Sequence, residues 1–68
     1  MNMITFNSKF LNPTDVGDEY SITLIKDGQQ IGHVEGIVDG GHFNIMYEEG
    51  DISDEDLIQI NIQKPWMN

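Results

Sequence analysis

Glu48, Glu49, Asp51, Asp54, Glu55 and Asp56 crowd six of the chain's twelve acids into nine residues. Three chemistries could use such a run. A calcium loop takes oxygens at alternate positions, and Asp51, Ser53 and Glu55 supply the first, third and fifth. The pattern then fails, with Asp56 where the turn needs glycine and Ile62 where a bidentate glutamate closes the site. The second use is a solvated loop with a helix cap, since charge runs commonly serve solubility. The third is an anionic face that docks on Lys and Arg of a partner. Glu35 and Asp39, with Asp15, Asp18 and Glu19, extend that face if folding brings them to the same side.

His33 and His42 are the other titratable candidates for metal or acid–base work. They lie in separate segments, and no third ligand, nucleophile or phosphate loop accompanies them. Ser8, Ser21 and Ser53 lack the glycine context of a nucleophile elbow. The chain has no cysteine, so thiolate metal sites and disulfides are out. A chain this short also has little room for a substrate pocket. The expectation is a non-enzyme with no catalytic residue, no metal and no cofactor.

Three lysines and no arginine against twelve acids leave a net charge of −9. Such a chain repels nucleic acid and anionic membrane, because both are bound through Lys and Arg, which neutralise their anionic groups and free the counterions. A basic protein surface is what its field attracts and steers. MNMITFNSKF shows neither a basic leader nor a long apolar run, and no stretch reaches the length of a membrane span. A cytoplasmic protein is expected.

Sixty-eight residues suffice for one domain, residues 1–68, with one small core. Five segments alternate with the period of a half-buried strand. Ile4, Phe6 and Phe10 share a face in the first, and Tyr20, Ile22 and Leu24 in the second. Phe43, Ile45 and Tyr47 do so in the fourth, and Ile58, Ile60 and Ile62 in the fifth. The third segment, residues 30–38, has two candidate faces, and the turns decide between them. A Gly40-Gly41 hairpin sets Val38 opposite Phe43, Gly36 opposite Ile45 and Val34 opposite Tyr47. A three-residue loop at 27–29 then sets Leu24 opposite Gly32, Ile22 opposite Val34 and Tyr20 opposite Gly36. Residues 11–18 read as a loop by Pro13 and Gly17, and Ser53 with its acids reads as the cap of one helical turn.

This predicts an all-β domain: a small five-stranded antiparallel meander or SH3-like barrel, with one helical turn before the last strand. Its register pairs Ile25 with Ile31 on the outer face, near Ile37 and Met46, as an apolar interface row. Trp66 in the tail is either a lid on the barrel's open end or an anchor for a partner's pocket. In size and charge the chain resembles the small acidic inhibitors made by bacteriophages. The −9 charge on a small scaffold, with half of the acids in one run, leads to the expectation of an inhibitor that occludes a basic surface of a partner protein, such as a nucleic-acid-binding one. This would be a DNA mimic of anti-restriction or anti-CRISPR type. The alternative is a structural or accessory subunit, homodimeric or docked in a larger assembly through the outer-face isoleucines. The expected partner-binding residues are therefore Glu48, Glu49, Asp51, Asp54, Glu55, Asp56, Glu35, Asp39, Ile25, Ile31 and Trp66.

Overall fold

A computed structural model describes residues 3–67. Its elements follow in the order β1 (Ile4–Thr14), β2 (Gly17–Lys26), β3 (Gln29–Asp39), β4 (His42–Gly50), α1 (Asp54–Gln63) and a 3₁₀ turn (Pro65–Met67). The strands form one antiparallel sheet in the order β1-β2-β3-β4, and α1 with the 3₁₀ turn lies on one of its faces. The chain is mostly β as expected, but its sheet has four strands, is not closed into a barrel, and is partnered by a helix.

The fifth expected strand is the helix. Two forces compete over residues 54–63: β-branched isoleucines at alternate positions favour a strand, whereas the start signals favour a helix. The start signals prevail. The Ser53 hydroxyl accepts the Asp56 backbone N–H at 3.2 Å, and the Asp56 carboxylate accepts the Ser53 N–H at 3.1 Å. This reciprocal capping box satisfies two otherwise orphaned donors, and Asp54, Glu55 and Asp56 face the positive end of the helix dipole. Lys64 ends the helix in a left-handed conformation, and Pro65 follows it. Ten residues are marginal for a helix on their own, so docking on the sheet supplies the rest.

The docking surface is the core. Ile22, Leu24, Val34, Phe43 and Ile60 are buried to 1% exposure or less. Ile4, Phe6, Tyr20, Ile31, Val38, Ile45, Ile52, Leu57 and Trp66 pack around them. Trp66 stacks on Phe43 with ring centroids 5.8 Å apart, and Ser8 on β1 donates its hydroxyl to the Pro65 carbonyl at 3.0 Å. The tail is thus tied across the sheet from β4 to β1.

The hairpins place the inner face as the alternation required, with local corrections. Residues 11–18 are not a long loop: β1 and β2 meet at a tight turn through Asp15 and Val16. Pro13 is tolerated inside β1 because β1 is an edge strand, where a missing N–H costs no ladder bond. The 27–29 loop is instead a two-residue Asp27-Gly28 turn, both residues at positive φ, with Lys26 opposite Gln29. A bulge between Leu24 and Ile25 then restores the expected pairs of Leu24 with Gly32, Ile22 with Val34 and Tyr20 with Gly36. The bulge supplies the extra residue that the loop was expected to hold. In consequence Ile31 does not face Ile25, which pairs with Gln30, and it packs toward the core.

A second bulge interrupts β3–β4. Val38–Phe43 and Gly36–Ile45 pair as expected, but Tyr47 pairs with Glu35 and Val34 with Glu48. One extra residue moves Tyr47 from the core face to the outer one.

Candidate partner-binding surface

A four-strand meander puts the β1–β2 and β3–β4 turns at one end of the sheet, and the β2–β3 turn and the exit of β4 at the other. This separates the acids. Glu48, Glu49, Asp51, Asp54 and Glu55 gather at the corner where β4 leaves the sheet and α1 begins, and all five are exposed. The corner turns at Gly50, whose φ of 108° suits glycine and where any side chain would strike the Ile31 carbonyl and Gly32. The Asp51 N–H then bonds the Ile31 carbonyl at 3.0 Å and fixes the exit.

Asp39 is not brought to this corner. It sits beside the Gly40-Gly41 turn at the opposite end, with Asp15 and Asp18 across the way, about 25 Å away by strand length. Asp56 leaves the run for a different reason. It is 5% exposed, and Lys26 Nζ lies 3.3 Å from its carboxylate. Burial opposes its charge, but hydrogen bonds from Ser53 and the Lys26 ammonium outweigh that and hold its pKa below the ordinary value. Asp56 therefore builds the corner, its carboxylate buried and paired within the chain.

Glu35 does join the run, through a histidine. On the outer face His33 lies between Glu35 (Nε2 to Oε2, 3.5 Å) and Glu49 (Nδ1 to Oε1, 3.6 Å). Tyr47 lies beside the imidazole, with ring centroids 5.7 Å apart, and donates its hydroxyl to Glu49 Oε2 at 3.0 Å. The two imidazole nitrogens address two different carboxylates, so this is a bridge and not a chelate. Among the described residues, no three His, Cys, Asp or Glu side chains are placed to hold a metal ion. The histidine opposite Thr23 matches the expected register, as does His42 opposite Asp39. The Tyr47–Glu49 contact was not legible, because the alternation placed Tyr47 on the inner face.

The hydrogen bond to Glu49, followed by repulsion from its charge, pushes the Tyr47 phenol above its ordinary pKa. A Glu49→Gln change removes the charge, and the phenol is expected to titrate closer to its ordinary value. Ultraviolet absorbance against pH, in a Tyr20→Phe background, reads this one tyrosine. An unmoved titration would show that the contact does not persist in solution.

The expected apolar row on the outer face does not assemble. Ile25 and Ile37 are half-buried there but lie toward opposite ends of β2 and β3, Ile31 packs inward, and Met46 sits at the bulge with 70% exposure. Between the two isoleucines the face carries Ser21, Thr23, His33 and Glu35. Trp66 is half-buried and stacks on Phe43, and since the sheet does not close into a barrel there is no open end for it to cover. No helix among the described residues is long and apolar enough to cross a membrane. Compared with family models, curated proteins and solved structures, the chain returns no match.

Proposed function

We propose that this chain is a binding protein that occludes a basic surface of a partner protein, with carboxylates standing where nucleic-acid phosphates otherwise sit. One observation carries the reading. Among the described residues, the only lysine–carboxylate ion pair is Lys26–Asp56, so the five exposed acids of the β4–α1 corner keep their charge uncompensated by lysine. The corner is also rigidly built, by a capping box, the Asp51–Ile31 bond and a salt bridge. Fixed charges lose less entropy on docking than charges on a mobile loop, which favours a recognition surface. Glu35 and Glu49, joined through His33, continue the anionic surface onto the outer face of the sheet.

Occlusion of this kind is competitive. Carboxylates engage Lys and Arg side chains at the partner's anion-binding positions, and the long-range field speeds the encounter. The test is capture of partners from native cell extract on the immobilised chain, followed by elution in a salt gradient. A triple change, Glu48→Gln, Glu49→Gln and Asp51→Asn, lies outside the helix and spares the cap. It is expected to weaken a captured complex about tenfold, at roughly 0.5 kcal/mol for each exposed charge. It should also flatten the salt dependence of binding. Capture that is equally tight for both proteins at low salt would refute the reading.

A further inference from the structure

The helix is apolar on two opposite sides, and the sheet covers only one of them. Ile60 is fully buried, whereas Ile58 and Ile62 are 58% and 65% exposed. At about 100° per residue, Ile58 and Ile62 fall within about 40° of each other, and Ile60 lies nearly opposite. Two outward isoleucines one turn apart make a stripe, and a helix apolar on both sides is normally covered on both. Beside the stripe an open cleft of about 630 Å³ runs between α1 and the start of β1, with Met3, Ile4 and Ile58 as its apolar lining.

We infer that this stripe is the seam of a symmetric dimer, in which α1 packs antiparallel against α1 of a second copy. Charge selects the occupant and its direction. The stripe is flanked at its N-terminal end by exposed Asp54 and Glu55 and at its C-terminal end by exposed Lys64. A two-fold axis near Ile60 sets Ile58 of one copy against Ile62 of the other, and brings Lys64 of each copy toward the acidic first turn of its mate. Parallel packing would instead stack acids on acids. The antiparallel pair also opposes the helix dipoles favourably. Each interface residue meets its symmetry mate's complement, as an isologous contact requires. The seam shares Asp54 and Glu55 with the proposed partner surface but not Glu48, Glu49 or Asp51, so the triple variant at those three positions leaves it intact.

Sedimentation equilibrium across about 10 μM to 1 mM tests the seam. The chain is expected to approach twice its 7.7 kDa mass. Two copies of charge −9 repel, so dimerisation should strengthen as salt rises, opposite in sign to partner capture. An Ile58→Gln/Ile62→Gln double variant changes only exposed side chains and keeps helix propensity, so its circular dichroism should match the wild type. Its dimer dissociation constant should rise at least tenfold. Lys64→Glu should weaken the dimer, and Glu55→Lys added to it should restore association. A wild-type chain monomeric at 1 mM in 300 mM salt overturns the inference, as does a double variant that dimerises undiminished. Failure of Glu55→Lys to restore association would overturn the antiparallel pairing. Neither result bears on partner capture by the triple variant, so the two readings fail separately.

Discussion

Replacing Ile60 with alanine is expected to unfold most of the protein at 25 °C, while Ile62→Ala leaves it folded. Ile60 is the helix's one fully buried apolar side chain, and it closes the cluster of Ile22, Leu24, Val34 and Phe43. Truncating a buried isoleucine costs about 2–5 kcal/mol in lost transfer energy and cavity. A single core in a chain below about 70–80 residues rarely supplies more than about 3–5 kcal/mol. The two quantities are comparable, so one side chain decides the fold. Ile62 is 65% exposed, and its loss in the monomer should stay within about 0.5 kcal/mol. Urea denaturation followed by far-ultraviolet circular dichroism, at concentrations below any dimerisation, separates the two. In a strand, Ile58, Ile60 and Ile62 would share one face and lose comparable stability on truncation. Equal losses would therefore contradict the helix.

The second large effect belongs to Asp56. Its carboxylate completes the capping box and faces Lys26, so Asp56→Asn weakens a cap and leaves a half-buried ammonium without its partner. A cap contributes about 1 kcal/mol, and the ion pair adds a similar amount after discounting for Lys26's partial exposure, about 2 kcal/mol together. The pH dependence follows from the depressed folded pKa. The stabilisation is fully present above the unfolded-state value, about 3.9, and is lost as pH falls through the lower folded value. The gap in unfolding free energy between wild type and Asp56→Asn should be widest at neutral pH and shrink toward pH 2. Taking the difference removes the general relief of repulsion that acidification gives so acidic a chain. A gap that is constant with pH would mean that the Asp56 charge is not what holds the corner.

How far the sequence could be read depended on whether one signal or two governed a segment. Alternation and turn glycines alone set β2 through the start of β4, and there the pairs of Ile22 with Val34, Leu24 with Gly32 and Val38 with Phe43 follow. Bulges are invisible to alternation because they add a residue without altering composition. The one at Ile31 left the faces intact, whereas the one at Met46 turned Tyr47 outward and joined it to Glu49. At residues 54–63 two local signals conflicted. The Ser53–Asp56 spacing and the glycine- and proline-free stretch up to Pro65 were the readable signs of a helix longer than one turn. Its effect on the site is direct, because it buries Asp56 and turns Ile58 and Ile62 outward. The grouping of the remaining acids at one corner was legible as adjacency in the chain. The placement of Asp39 at the other end needed the strand order, which adjacency does not contain.

The proposed occlusion is tested most directly by asking whether partner, nucleic acid and this chain can bind together. A captured partner is loaded with fluorescently labelled duplex DNA or RNA, and the chain is titrated in while anisotropy is followed at two salt concentrations. The account predicts full displacement, an apparent inhibition constant that rises in proportion to nucleic-acid concentration, and weaker inhibition at high salt. The Glu48→Gln/Glu49→Gln/Asp51→Asn protein should displace about tenfold less effectively. A stable ternary complex, with the label still bound at saturating chain, would contradict it.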